Sequence, residues 1–488
     1  MLFNSELFLF VFLPAVFLGF LALGRVGGTG SLKLWWLIGA SLVFYASWHP
    51  PLLLLLLGSV FGNYAWARIM ERWPGRPSFA VGVAANLGLL GYFKYAGFLL
   101  ETAEALSLIS PIDVDILLPL GISFFTFQQI AFLCDVHAGK VRSIRFRDYA
   151  LFICFFPQLI AGPIVHHSQV IDQFKRIADG VPISPRGIAA GLTMLAIGLF
   201  KKSVIAASLS DIADPLFLQA DLREAIGFWD GWTAALAFGL QIYFDFSAYS
   251  DMAIGIGLMF GVVLPINFFS PYRATSIIAF WQRWHMTLSQ FLRDYLYIPL
   301  GGNRRGPARR YLNLMIVMIL GGAWHGAGWT FFLWGAIHGG ALAVAHGFRS
   351  LTRSNIADSR TGNAVGWFLT MVVVFAAWVP FRAENLDTSL FIWKGMAGLT
   401  DLGRSPDGDT VRTLVLAAAV CLLLPPLAAL FQGELSDDDK PATGTPAPFL
   451  QSLLTWKPST AWALTSAGLG VAGVLQLWHA GAFIYFQF

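Results

Sequence analysis

The sequence predicts an all-α, polytopic membrane protein, and three observations carry that prediction. Of the 488 residues, 56% are hydrophobic and only 12% are charged, whereas a soluble domain carries roughly 25% charged residues. Mean hydropathy is +0.64. The apolar runs are long and continuous, unlike the alternating strands of an outer-membrane barrel. A spanning helix takes about 20 mostly apolar residues, so the hydrophobic stock caps the number of spans at roughly 13. No charged stretch is long enough for a soluble enzyme on a single anchor. The net charge of +4 is too small and scattered for a nucleic-acid partner; the lipid bilayer is the expected surrounding.

The elements can be justified in chain order. Residues 7–24 form an apolar run preceded by Glu6 and followed by Arg25. A signal peptide would start with a basic segment, so this reads as an uncleaved first span with its N-terminus outside. Two further spans turn at the His49-Pro50-Pro51 corner and return the chain to a basic loop, Arg68, Arg72 and Arg76. Another hairpin encloses acidic Glu101, Glu104, Asp113 and Asp115 and comes back to Lys140, Arg142, Arg145 and Arg147. A second acidic stretch (Asp211, Asp214, Asp221, Glu224, Asp230) suits the outer side, and the dense run Arg304, Arg305, Arg309, Arg310 the inner. Those arginines serve topology and headgroup contact on the simplest reading.

No soluble domain boundary interrupts residues 1–488, which read as a single membrane domain with a variable loop at about 432–459. The loop holds Asp437-Asp438-Asp439-Lys440 and the run PATGTP, a linker-like composition. No internal repeat is evident. Cys134, Cys154 and Cys421 lie in or beside apolar stretches without CxxC spacing. Neither a disulfide framework nor a metal site is indicated.

Three mid-chain stretches are too polar or too broken for ordinary spans, and polar groups at membrane depth mark function by default. FFPQLIAGPI (155–164) carries two prolines and a glycine. It reads as a re-entrant segment buried in protein, with a kinked span as the alternative. Along 281–297, Trp281, Trp284, His285, Leu288, Leu292, Tyr295 and Leu296 share one helical face, opposite Gln282, Arg283, Gln290, Arg293 and Asp294. This predicts an amphipathic helix with His285 turned inward beside the tryptophans. A lone histidine on such a face is more often a core residue than a reactive one.

GGAWHGAGW (321–329) places His325 among glycines, which let backbone or substrate approach closely. An imidazole there suits a general base for a hydroxyl nucleophile. His338 lies 13 positions on, about 20 Å along a continuous helix, and is expected to be structural unless the glycines break that helix. Asp245, within YFDFSAYSD (243–251), either forms a polar cluster with Tyr243 and Tyr249 or lines an acceptor path. With Lys201-Lys202 it is also where a proton path would run in a proton-coupled transporter or channel, the reading from a different class.

FWQRWHMTLSQFLRDYLYIPLGGNRRG (280–306) followed by GGAWHGAGWTFFLWGAIHG (321–339) resembles the membrane-bound O-acyltransferase (MBOAT) family, most closely its bacterial alginate O-acetylase-like branch. LPLGISFFTFQQIAFLCDVHAG (118–139), FFPQLIAGPIVH (155–166), the opening MLFNSELFLFVFLPAVFLG and the closing FIYFQF match as well, so the resemblance covers most of the chain. It implies an MBOAT-type ring of transmembrane and re-entrant helices around a central tunnel. The family's essential WHG histidine falls on His325 and its second motif residue on His285. Trp324, Trp281, Trp284 and Asp245 are expected along the donor and acceptor tunnel.

What the resemblance implies for function is acyl transfer, with no tightly bound cofactor and with acetyl-CoA or another acyl thioester as cytoplasmic donor. His325 would deprotonate an acceptor hydroxyl. His285 would orient it, donate to the oxyanion or protonate the thiolate. In such proteins the acetyl group crosses the inner membrane to a periplasmic polysaccharide acetyltransferase, which esterifies an exopolysaccharide such as alginate or cellulose. A D-alanyl transferase of teichoic acid is the alternative within the class.

Overall fold

The computed structural model describes residues 1–25, 30–111, 116–351, 359–435, 448–479, 481, 483 and 484. The readings placed on Asp113, Asp115 and the Asp437–Lys440 run fall outside the described residues. Helices make up the regular structure of the described residues, and six are long and apolar enough to cross a membrane: Leu7–Arg25, Pro50–Arg72, Arg76–Ala105, Pro185–Asp221, Trp329–Leu351 and Arg360–Arg382. Two shorter apolar helices, Gly30–Ala46 and Thr460–Leu475, join them. The corner at His49-Pro50-Pro51 turns the chain as expected: one helix ends at Ala46, and the next starts with proline in its first turn, where the missing N–H costs nothing.

The helix Phe228–Met259 is the centre of the molecule, buried along most of its length. It packs on Pro185–Phe200 through glycines. A Cβ on Gly191 would sit 2.3 Å from the Gly255 carbonyl oxygen, and one on Gly255 would sit 2.6 Å from that of Gly191. Lipid gives helices no hydrophobic reason to associate, so close backbone approach at small residues supplies the packing. The Arg76–Ala105 helix lies at the other extreme, with 11% of its apolar window buried. Phe3 and Phe483 both stack on Tyr249 of the central helix, at 4.6 and 4.7 Å.

The broken stretches take distinct forms. Residues 155–164 form a single short turn of helix, Phe156–Leu159, followed by irregular chain, with every residue buried. The reading of a segment buried in protein therefore holds over the kinked span. Side chains supply bonds such backbone needs: the Phe156 N–H donates to the Ser41 hydroxyl and the Ile164 N–H to the Thr287 hydroxyl, both at 3.0 Å.

The single amphipathic helix expected over 281–297 is corrected. One short helix ends at Trp281, a second spans Met286–Leu292 and a π-helical turn covers Arg293–Tyr297. The break is at His285, whose φ of 42° is left-handed and incompatible with a continuous right-handed helix. The inward face is as expected for five of its seven residues, with Tyr295 and Leu296 half-buried. Trp281, Trp284, His285, Leu288 and Leu292 are buried, and Gln282, Gln290 and Arg293 are exposed.

The glycines of 321–329 also break the chain. One helix runs Pro307–His325 and the next Trp329–Leu351, and the two fold back on each other. They cross at Gly322 and Gly335, where a Cβ would lie 2.2 Å from the Phe331 oxygen and 2.4 Å from the Met318 oxygen. His338 consequently comes close to the His325 region. Both rings pack against Trp334, at 4.7 and 5.1 Å.

Candidate active site

His325 is the last residue of its helix, and His285 occupies the break between two short ones; they are 4% and 0% exposed. Their ring centroids lie 6.2 Å apart with planes at 54°. Two residues 40 positions apart in sequence thus share one buried site. The walls are aromatic: Phe246 against His285 at 4.7 Å, and Trp324, Trp334 and Phe381 within 5.2 Å of His325.

Asn267 fixes His285. Its Nδ2 donates to the Ser250 hydroxyl at 3.2 Å, which turns its Oδ1 toward the site. That oxygen meets Nδ1 of His285 at 3.0 Å, the Thr287 hydroxyl at 2.9 Å and the Thr287 backbone N–H at 3.4 Å. An amide oxygen only accepts, so Nδ1 of His285 carries the proton and Nε2 carries a lone pair. Nε2 is buried without a protein partner. The strained left-handed backbone at His285 is held by flanking bonds, Phe269 N–H to the Arg283 oxygen at 2.9 Å and Met286 N–H to the Asn267 oxygen at 3.0 Å.

Two cavities flank this site from different sets of loops: the first is lined by His325 itself, and the second comes as near as Thr287, whose hydroxyl shares the Asn267 oxygen with His285. One, of about 250 Å³, is lined by Trp48, Leu117, Lys94, Ser123, Trp324 and His325. It opens beside the His49-Pro50-Pro51 corner. The other, of about 460 Å³, is lined by Lys140, His166, Gln169, Thr287, Gln290 and Tyr295. It opens beside the basic run that begins at Lys140. A larger recess of about 640 Å³ lies beyond the glycine break, with Glu101, Asp221, Arg223, Gly328, Trp329 and Asp387 in its wall.

The residues expected along the tunnel divide. Trp324 lines the first cavity, and its indole donates to the Ser123 carbonyl at 3.4 Å. Trp281 and Trp284 stand behind the histidines in an aromatic layer, against Trp334 at 5.7 Å and Trp378 at 4.8 Å respectively. Asp245 is held elsewhere. It pairs with the Lys202 ammonium at 2.7 Å and accepts from the Ile484 backbone N–H at 2.9 Å. Lys201 pairs separately with Asp251 at 2.6 Å.

Several residues at the site escaped the sequence reading. Asn267 lies outside the quoted motifs and Thr287 inside one, and neither drew a role because an uncharged amide or hydroxyl gives no chemical signal by itself. Lys94, within GYFKY, was legible as an ionisable residue inside an apolar run. Its Nζ donates to the carbonyls of Trp324 and His325 at 2.5 and 3.0 Å. Asp135 is also inside the protein, at 1% exposure. It accepts from Tyr295 and Lys140 at 2.8 and 3.0 Å and lies 2.6 Å from Nε2 of His166. Donor atoms of Asp135, His166 and His167 fall within 4.8 Å of one another, close enough to hold a cation.

Residues 31–381 match the family model of the membrane-bound O-acyltransferases. The chain is 44% identical over 428 residues to a peptidoglycan O-acetyltransferase of Helicobacter pylori, covering 82% of this chain and 80% of that one. It is 40% identical over 461 residues to a probable alginate O-acetylase of Azotobacter vinelandii, covering 91% and 87%. A teichoic acid D-alanyltransferase of Streptococcus thermophilus is 24% identical over 291 residues, 54% of this chain and 68% of that one. With a helical membrane architecture and the WHG histidine buried at the wall of a cavity, the chain belongs to the membrane-bound O-acyltransferase family and is an O-acyltransferase.

Proposed function

We propose that this protein takes an acetyl group from acetyl-CoA on the cytoplasmic side of the bacterial inner membrane and passes it outward for O-acetylation of a cell-surface polysaccharide. One observation carries the proposal: the buried His285–His325 pair, 6.2 Å between centroids, stands at the wall of a cavity that opens at the non-basic corner, while a second cavity that opens at the basic loop comes as near as Thr287, bonded with His285 to the Asn267 oxygen. Lys140 stands at the mouth assigned to the cytoplasm by the positive-inside rule. Gln169, Gln290, Thr287 and Tyr295 line the way in, hydrogen-bonding groups suited to the amides of a pantetheine arm.

The chemistry follows from the groups present. His325 as general base takes the proton from an acceptor hydroxyl. The alkoxide oxygen attacks the thioester carbonyl, the C–S bond breaks, and CoA leaves as thiolate, which takes up the proton. His285 presents a lone pair at Nε2, so in its neutral form it accepts. It fits the orienting of His325 better than donation to an oxyanion, which would require that it first be protonated.

The acceptor is a hydroxyl reached from the outer cavity. Among the described residues no extended outer domain grips a polymer, which supports a relay through a periplasmic acetyltransferase. Relatives named for alginate and for peptidoglycan favour a polysaccharide as the final acceptor. D-alanyl transfer has weaker support, because that relative is less similar and matches about half of the chain. Transport is disfavoured by the closed Lys202–Asp245 and Lys201–Asp251 pairs. Purified protein in nanodiscs with labelled acetyl-CoA should release CoA, and His325→Ala should lower release by about 10²–10⁴-fold at normal protein levels. Near-normal release by His325→Ala would end this assignment.

A further inference from the structure

A helix that stops in a buried surrounding leaves its last four carbonyls without intrahelical partners, and each needs a donor from elsewhere. The helix Pro307–His325 stops at the residue assigned above as the base. Its final carbonyls can be accounted for one by one. Gly322 accepts from the Gly326 N–H at 3.4 Å. Ala323 accepts from the Tyr95 hydroxyl at 2.7 Å. Trp324 and His325 both accept from the Lys94 ammonium, at 2.5 and 3.0 Å. The third donor of that ammonium is aimed at the Ser123 hydroxyl, 3.4 Å away.

Lys94 and Tyr95 are adjacent because the Arg76–Ala105 helix changes at Gly91–Tyr95 into a π-helical turn. A π turn is wider than an α turn, so successive side chains diverge less and two neighbours can serve one target. Such turns recur at functional sites. The ammonium also stands at the negative end of the Pro307–His325 dipole, where a cation is favoured. Lys94 and His325 line the same cavity.

We propose that Lys94 is a positioning residue for acyl transfer. With Tyr95 it clamps the last turn of the WHG helix and sets where the His325 imidazole stands, its ammonium being committed to the Trp324 and His325 carbonyls. The inference rests on the assignment of His325 as base. It separates Lys94 from a merely structural cation, which would support folding without affecting turnover per folded molecule.

The test compares Lys94→Met, Lys94→Arg, Tyr95→Phe and His325→Ala in nanodiscs, measuring CoA release at varied acetyl-CoA together with Tm. Lys94→Met should lose about 100-fold in kcat, with KM for acetyl-CoA within about threefold of wild type, as expected for an ångström-scale misplacement. Lys94→Arg, which keeps a cation within reach, should recover to within about tenfold of wild type, and Tyr95→Phe should fall between. Wild-type kcat in Lys94→Met overturns the proposal, as does equal loss in Lys94→Met and Lys94→Arg. If Lys94→Met does not fold, Tyr95→Phe decides: a reduced kcat with unchanged KM supports the clamp, and wild-type kcat overturns it. Activity retained by His325→Ala would instead remove the underlying assignment.

Discussion

Replacing Gly322 with alanine should disable the enzyme without touching any group that does chemistry. The added Cβ would lie 2.2 Å from the Phe331 carbonyl oxygen, 3.1 Å from its carbon and 3.2 Å from the Gly335 nitrogen. These are backbone atoms of the neighbouring helix, so no rotamer change relieves the clash. Ordinary contact begins near 3.4 Å, so the two helices must part by about 1 Å. Overpacking of this kind costs about 1–3 kcal/mol, which a membrane protein of this size can absorb. Gly322 precedes His325 by three residues in the same helix, so the imidazole moves with it. A displacement of 1 Å at a reacting group costs on the order of 100-fold. CoA release per folded molecule should fall by about that factor, while Gly328→Ala, whose Cβ would meet its nearest atom at 3.6 Å, should stay within about threefold of wild type. The assay is turnover in nanodiscs normalised to monodisperse protein. If Gly322→Ala turned over like wild type, the premise that helix spacing sets the histidine's position would be wrong.

Asn267→Ala should remove four hydrogen bonds and leave Nδ1–H of His285 buried without that acceptor, at about 1–3 kcal/mol; at least a tenfold fall in kcat is expected, measured by CoA release. Asp245→Asn should cost about 3–5 kcal/mol by stranding the buried Lys202 ammonium, read as a lower Tm, and Asp245→Leu with Lys202→Met should recover much of the loss. His285→Ala should slow turnover yet leave more activity than His325→Ala, and the reverse ranking would exchange their roles. In a background without the three native cysteines, Arg305→Cys should react with impermeant thiol reagents only in inverted vesicles and Asp221→Cys only in spheroplasts. Labelling of both from one side would remove the support for transfer across the membrane.

The sequence made the helical class and the two histidines legible for different reasons. Long apolar runs report a lipid surrounding directly, because each residue contributes independently. His285 and His325 were readable because ionisable groups are rare in such runs. The inward face of 281–297 survived the correction of its helix, since burial follows from side-chain type while continuity depends on the conformation of one residue. The left-handed turn at His285 has no local signal: neither glycine nor asparagine occupies it, and bonds from residues 267 and 269, distant from it in sequence, hold it there. Asp245 was placed near the tunnel because its partner, Lys202, lies on another helix. The pairing of Lys94 with carbonyls more than two hundred positions away is likewise a product of tertiary packing, although its presence inside an apolar run was visible.

The stacking of Phe3 and Phe483 on Tyr249 has a consequence in time. Phe483 also packs on Phe246 at 5.8 Å, and Phe246 forms the wall against His285 at 4.7 Å. The backbone N–H of Ile484, next in sequence, meets the Asp245 carboxylate. During synthesis, the helices bearing His285 and His325 enter the membrane long before residue 483 leaves the ribosome. Until then the histidine pocket lacks part of its support and the Asp245 carboxylate lacks one donor. Contacts of such long sequence separation form late, so the wall behind His285 gains its last aromatic neighbour only when the chain is almost finished.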